Sequence, residues 1–520
     1  MSTNEKIVIY QVFTRLFGNS NTRCKHNGSL DENGCGKLAD FTAKALTEIK
    51  NLGATHIWYT GIIEHATQTN YSRYGIRPDH PAVVKGKAGS PYAIKDYYDV
   101  DPDMANSIPD RMKEFENLVK RSHKANLKVI IDFVPNHVAR QYQSDAKPEG
   151  VVDLGENDDK TVAFSPMNNF YYIPGQELQG DIDLHMNAPE AYVENPAKAT
   201  GNDKFDAWPG INDWYETVKL NYGVDYMNWR IGHFDPVPDT WNKMLEILLF
   251  WASKNIDGFR CDVAGEVPTD FWNDVMAEIR AKHPDMFTLA EDEAEAQDLT
   301  ESAFDMYYGW TLHHLMNGVA QGKNTVNDLW DYFAKTDTTI RHEAIRMNFT
   351  SNHDENSWSG TEFERMGDAA DLFAAFTYVV PGMPLIYTGQ PSGNHHRLAF
   401  FEKDVIDRVE NAPQKAMYTR LNALRADNFA LWSNEIGAPM VRIAADNDKI
   451  FACVRHAVCP KDDKENTIIA VMNMSAEEQV VNLTIDQYAG EYNCICGKTM
   501  ALEATQALTL KPWQHIILTK

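Results

Sequence analysis

The sequence predicts an α/β protein: a (β/α)8 barrel carrying a subdomain after its third strand, followed by a C-terminal antiparallel β-sandwich domain. Three observations predict it. Short β-branched and aromatic runs alternate with longer amphipathic stretches through the first 390 residues, the pattern of parallel strands joined by helices. Later strand ends recur near the length of one βα unit, about 30 residues: Asp262 to Glu291 is 29 residues, Glu291 to Asp354 is 63, and Asp354 to Gly389 is 35. Asp132 to Asp262, by contrast, spans 130 residues, about 100 more than one unit needs. An insertion accounts for the excess.

In chain order, Lys6–Phe13 reads as the first strand, Phe41–Leu52 as a helix and Ala54–Tyr59 as the second strand. Ile108–Ala125 follows as a helix and Lys128–Phe133 as the third strand. Residues 140 to about 225 are rich in Asn, Asp, Pro and Gly and lose periodicity, so they form the insertion. Helical spacing resumes at Asp239–Lys254, before a fourth strand at Gly258–Asp262. The remaining strands are expected at Phe287–Glu291, Phe304–Tyr307, Met347–Thr350 and Pro384–Thr388. In the last hundred residues the runs Met440–Val454, Thr467–Met474, Gln479–Ile485 and Trp513–Leu518 have no long helix between them. The expected domains are a barrel over 1–137 and 226–411, an inserted domain over 138–225 and a β domain over 412–520.

Composition narrows the partners. Of 520 residues, 49 are Lys or Arg and 74 Asp or Glu, a formal charge of −25, which disfavours phosphate backbones and anionic membrane surfaces. The longest apolar stretch, Phe373 to Gly389, is broken by Pro381, Gly382 and Pro384, and is shorter than the roughly 20 apolar residues a membrane span needs. A neutral polar ligand that stacks on aromatic rings suits the 12 Trp and 22 Tyr. The start lacks a basic region followed by an apolar core, so the expectation is a soluble, cytoplasmic protein. Seven cysteines without metal-ligand spacing read as reduced thiols.

Four strand ends carry acids and polar neighbours, at the barrel face where working residues gather. They are Asp132-Phe-Val-Pro-Asn136-His137, Gly258-Phe-Arg260-Cys-Asp262, Thr288-Leu-Ala-Glu291 and Phe349-Thr-Ser-Asn352-His353-Asp354. Cleaving an acetal takes one carboxylate and one carboxylic acid flanking the bond. Arg260 and Asp262, two apart on a strand, leave the same face, and a guanidinium beside a carboxylate favours its ionised form. Asp262 is therefore the expected nucleophile. Glu291, facing that charge from the next strand, is expected to stay protonated and act as the acid/base.

These four segments, with Gly53-Ala-Thr-His-Ile-Trp58, Tyr92-Ala-Ile-Lys-Asp96-Tyr and Gly382-Met-Pro-Leu-Ile-Tyr387-Thr-Gly-Gln390, resemble the signature regions of the α-amylase family, glycoside hydrolase family 13. The resemblance implies a retaining α-glucoside hydrolase acting on α-glucans or maltooligosaccharides. An α-glucan transglycosylase uses the same machinery, and a non-catalytic carbohydrate-binding protein on this fold would lack one of the acids. The resemblance also implies Asp354 as the transition-state stabiliser, and Tyr92, Asp96, His137, Arg260 and His353 as substrate contacts. Asn136 resembles a calcium ligand joining barrel and insertion in relatives. No organic cofactor is implied.

The chain departs from relatives in three places. Gly265 and Glu266 stand where they often carry Lys-His, and Pro391 stands where Glu is frequent. The segment Asp31-Glu-Asn33-Gly-Cys35-Gly-Lys37 echoes a calcium loop with Cys35 and Lys37 near acid positions, and reads as a plain turn. His395-His396 reads as a loop at the rim of the site.

Overall fold

The structure, a computed structural model, describes residues 6–341, 343–433, 437–459 and 462–520. Eight parallel strands close a barrel: β1 (Ile9–Phe13), β2 (His56–Thr60), β3 (Lys128–Phe133), β4 (Gly258–Cys261), β5 (Phe287–Ala290), β6 (Met306–Tyr308), β7 (Ile345–Asn348) and β8 (Met383–Tyr387), with β8 returning to pair with β1. All eight expected strands are present. The seventh starts two residues earlier than its apolar run indicated, because Ile345 and Met347 both face the barrel interior.

Strand residues point alternately in and out. The inward set, including Ile9, Trp58, Ile130, Leu289, Met306, Met347 and Leu385, forms its own buried cluster. The outward set, including Tyr10, Val12, Ile57 and Ile131, packs under helices such as Ala43–Leu52, Arg111–Lys124, Asp239–Ala252 and Thr269–Lys282. The helix Ala43–Leu52 begins with Thr42, whose hydroxyl accepts the Ala45 N–H, and ends at Gly53, which takes φ 108°. A side chain at Gly53 would strike Asn422.

The insertion between β3 and the helix Asp239–Ala252 consists of loops pinned by short antiparallel pairs, His137–Ala139 with Thr217–Lys219 and Tyr172–Ile173 with Ala197–Lys198. The C-terminal domain stacks a six-stranded and a three-stranded antiparallel sheet around a core of Ile443, Val454, Ile469, Val471 and Leu483. Its strands begin at Met440. The expected boundary at 411/412 therefore falls early: the helix Pro413–Asp427 packs on the barrel helix Ala43–Leu52 and completes the outer ring. Cys494 and Cys496 are joined in the turn between strands Gly490–Cys494 and Thr499–Leu502, which departs from the expectation of reduced thiols. The turn sets their Cα atoms 5.0 Å apart. Among the described residues, no helix is long and apolar enough to cross a membrane.

Candidate active site

The alternation that fills the barrel interior also aims its polar residues. On β3, Ile130 faces inward, so Asp132 does too, and Gln11 follows Ile9 on β1 in the same way. Arg260 on β4 lies in register with Asp132, and Asp262 and Glu291 succeed the paired residues Cys261 and Ala290. Three acids from three neighbouring strand ends converge on one guanidinium.

Arg260 is fully buried. Its Nη1 donates to Asp262 Oδ1 at 2.7 Å and lies 3.3 Å from Asp132 Oδ1, while Nη2 lies 2.6 Å from Glu291 Oε2. Its Nε donates to Tyr308 Oη at 3.1 Å, and the rings of Trp58, Tyr92 and Tyr308 surround its planar head. Trp58 Nε1 donates to the second oxygen of Asp132 at 3.0 Å. The Val263 N–H, at a residue with φ 45°, donates to Glu291 Oε2 at 2.9 Å.

Burial is the largest influence on every acid here. It pushes Asp262 up to about 6, with Arg260 pulling the other way. The sequence reading weighted the guanidinium above burial, and the structure reverses that order. Glu291 is pushed up to about 7 by burial, with Arg260 opposing and the charge of Asp262 adding to the rise. Asp354 also rises to about 7, through burial and then Glu291. Of the two acids on β4 and β5, Glu291 holds its proton to higher pH.

Tyr92 lines the cleft beside these acids, and His353 lies buried behind it. Gln11 Nε2 donates to Thr60 Oγ1 at 3.0 Å and to His353 Nδ1 at 2.9 Å, so the imidazole carries its proton on Nε2. That Nε2 faces Tyr92 Oη at 2.6 Å and Asp354 Oδ2 at 3.3 Å. Burial, and then Arg260, keeps His353 neutral. Asp354 starts the turn that follows: Asn352 Oδ1 accepts the N–H groups of Asp354 and Glu355, and a single π turn runs over Glu355–Ser359. π turns inside helical segments often mark functional sites.

The acids open into a cleft of ≈ 1080 Å³ lined by Tyr92, His137, Asp262, Glu291 and Asp354 together with Trp214, Trp358 and Phe400. His137 packs on Trp214 with ring centroids 5.2 Å apart, and burial pushes it down to about 3, so it is neutral. Trp358, on the π turn, is 54% exposed and leans on Phe400 and Phe401. Sequence reasoning missed Trp214, Trp358 and Phe400; the one available signal was aromatic content in segments without periodicity. A second lobe of ≈ 960 Å³ shares Val263 and Glu291 with the cleft and is lined by Asp292, Glu293, Trp310 and Tyr332. Glu293 accepts the Tyr332 hydroxyl at 2.7 Å. A side chain at Gly265 would meet Asp292 Oδ2 at 2.1 Å, so the missing Lys-His pair leaves room that Asp292 fills.

Three of the expected substrate contacts, Asp96, Arg260 and His353, are absent from the lining of the cleft, and Arg260 and His353 lie buried behind it. Asp96 is not among the residues lining the cleft. Its carboxylate accepts from Ser144 Oγ and from the N–H groups of Tyr98, Asp145 and Ala146, which leaves it holding a loop together. At Asn136, Oδ1 is buried with no hydrogen-bond partner, as a metal ligand would be. Calcium takes six to eight oxygens, and Asn136 offers one such buried, unpartnered oxygen. The neighbouring strand brings Lys219, register partner of His137, whose buried ammonium lies 2.6 Å from Asp203. His396 pairs with Asp404 at 2.8 Å and His395 stacks on Phe363, both loop roles.

A model of the α-amylase catalytic domain matches residues 11–435, covering all eight strand ends. The chain belongs to the α-amylase family. An α-amylase of Haloarcula japonica is 23% identical over 518 residues, covering 98% of this chain and 62% of that relative. An α-1,4-glucan:maltose-1-phosphate maltosyltransferase of Picrophilus torridus is 23% identical over 94% of this chain and 64% of its own length. The chain thus spans less than two thirds of these curated relatives. Among solved structures, an α-amylase from Geobacillus thermoleovorans, complexed with acarbose, aligns with TM-score 0.69 at 19% identity, covering 99% of this chain and 98% of that one. An α-amylase from Lactobacillus plantarum aligns with TM-score 0.67 at 21% identity over 99% of each chain. Family and structure agree on a barrel with a C-terminal sheet domain.

Proposed function

We propose that the protein is a retaining α-glucoside hydrolase acting on α-glucans or maltooligosaccharides. The observation that carries this reading is the single guanidinium of Arg260 gripping both Asp262 and Glu291, at 2.7 and 2.6 Å. Both carboxyl groups reach one guanidinium, an arrangement in keeping with the close carboxyl pair that a retaining mechanism uses.

In the first step Glu291 gives its proton to the glycosidic oxygen. Asp262 attacks the anomeric carbon as the C–O bond breaks, leaving a covalent glycosyl ester and a free leaving sugar. In the second step Glu291, now a carboxylate, takes a proton from water as its oxygen displaces Asp262. Asp354 is placed to hold sugar hydroxyls and Tyr92 to pack on the ring, with the His353 Nε2–H holding Tyr92 and Asp354 in position. Proton donor and nucleophile are both carboxyl groups of the chain, so the reaction as proposed uses no organic cofactor.

The second lobe beside Glu291 gives a transglycosylase reading its own support, since an acceptor sugar there would reach the same general base. Product analysis at high maltooligosaccharide concentration separates the two: shorter products are expected, and a majority of longer products would overturn the hydrolase reading. A panel of starch, pullulan, cyclodextrin, maltotriose and sucrose reads out linkage and chain length. No turnover of any α-glucan would remove the proposal.

A further inference from the structure

At the barrel end opposite the catalytic acids, a cavity of ≈ 310 Å³ lies in the seam between the barrel and the C-terminal domain. Its lining includes Arg346 at the start of β7, Pro381 and Gly382 before β8, Ser433, and Arg455 on the long strand Ile450–Val458. Arg341 stands on its rim, and Asp337 is the one carboxylate among the lining residues.

Arg346 and Arg455 are only 5% and 3% exposed. A guanidinium offers five N–H donors. Arg346 gives Nε to Asn348 Oδ1 at 3.0 Å and Nη2 to the Pro381 carbonyl at 2.7 Å. Arg455 gives Nε to the Ala438 carbonyl at 2.9 Å and Nη1 to the Val379 carbonyl at 3.4 Å. These partners are neutral and leave N–H groups of both forks over. Among the described residues, neither arginine has a carboxylate oxygen within 4.0 Å. Arg425, also buried, donates to the carbonyls of Ile7 and Leu431 and to Ser433 Oγ, adding a third guanidinium of the same kind.

Crowding lowers the basicity of two of these arginines. Burial and then the charge of Arg346 push Arg455 down to about 10, and burial and then Arg455 push Arg425 down to about 9. Arg346 itself is shifted the other way: Tyr332, Tyr307 and Glu293 outweigh burial and raise it. Buried charges are normally paired. Among the described residues, Arg346 and Arg455 wall a cavity with N–H groups to spare and no carboxylate in contact, an arrangement that suits an anion.

We infer that this seam cavity binds a small tetrahedral oxyanion of the phosphate class, gripped by Arg346 and Arg455. The planar forks of arginine match such oxygens two at a time, and seams between domains are a preferred place for ligands. One arginine belongs to the barrel and the other to the sheet domain, so the bound anion cross-braces the two. The inference is independent of the α-glucan reading and of the cleft at the other barrel end.

The test follows thermal unfolding of the full chain in inorganic phosphate, glucose 1-phosphate and chloride at matched ionic strength, with calorimetric titration for stoichiometry. Tm is expected to rise with inorganic phosphate and saturate, with one anion bound per chain and a much smaller effect of chloride. A stronger response to glucose 1-phosphate than to inorganic phosphate also supports the site and identifies its source as a sugar phosphate. Arg346→Met and Arg455→Met are expected to lose the phosphate-dependent increment, and the exposed control Arg23→Met to keep it. The increment is the readout, because removing a buried unpaired charge shifts the baseline by itself. If a Met variant fails to fold, Arg455→Lys keeps the charge without the fork and is expected to bind about tenfold more weakly. Equal responses to phosphate and chloride, or increments unchanged in both Met variants, would overturn the inference. Glu435 lies outside the described residues, between Ser433 and Gly437; phosphate binding seen only in Glu435→Gln would show that the chain supplies its own counter-ion, and would also overturn it.

Discussion

Arg260 Nη2 lies 2.6 Å from Glu291 Oε2, on the same guanidinium whose Nη1 holds Asp262. A planar fork fixes the spacing of the two carboxyl groups in a way that a flexible ammonium does not. Arg260→Lys is expected to lower kcat by about 100-fold while leaving the circular dichroism spectrum intact, since misplacing reacting groups by about 1 Å costs that much. A variant that keeps more than a tenth of wild-type kcat contradicts this account.

The proposed roles of Asp262 and Glu291 separate by leaving group. Asp262→Asn is expected to lose at least about 10³-fold in kcat on every substrate, because no ester can form. Glu291→Gln should lose comparably on maltooligosaccharides, yet recover on glycosides whose leaving group needs no proton. Steady-state kinetics on both substrate types checks the pair; equal losses in Glu291→Gln on both would remove its role as acid.

Activity requires ionised Asp262 and protonated Glu291. Burial raises both, to about 6 and about 7 respectively. Lowering pH through about 6 protonates the nucleophile, and raising it through about 7 removes the acid's proton. A narrow bell-shaped profile of kcat/KM centred between the two is therefore expected, its limbs belonging to the coupled pair. A flat plateau from pH 5 to 9 is the outcome that does not fit.

Trp358 offers an exposed indole to the cleft from the π turn after Asp354. Stacking against a sugar face predicts that Trp358→Ala raises KM for maltooligosaccharides about tenfold, with kcat within about twofold. Trp358→Phe should restore most of the affinity. Unchanged KM in the alanine variant would mean that the indole serves only the aromatic wall of Phe400 and Phe401.

The strands and the acids were legible because their signals are local. Inward and outward alternation is written in the apolar pattern, and a strand end carrying Arg260-Cys-Asp262 shows its chemistry over three residues. Asp96 misled for the opposite reason: its motif resembles a substrate contact, while three donors from the distant segment Ser144–Ala146, with the nearby Tyr98 N–H, consume its oxygens. Trp358 looked like any loop tryptophan until the turn met Phe400, more than forty residues away. The helix Pro413–Asp427 joined the wrong domain because its contact with Ala43–Leu52 spans nearly the whole barrel sequence.

By itself the sequence determined a barrel with an insertion and a sheet domain, and the acids at the ends of its strands. Periodicity and spacing are properties of neighbouring residues, and they survive without a structure. Only the tertiary structure decided that burial outweighs Arg260 at Asp262, that Asp96 spends its oxygens on a loop, and that two buried arginines face one seam cavity. Each of those depends on which groups a fold removes from water together, and desolvation and charge pairing act between residues that the chain order keeps apart.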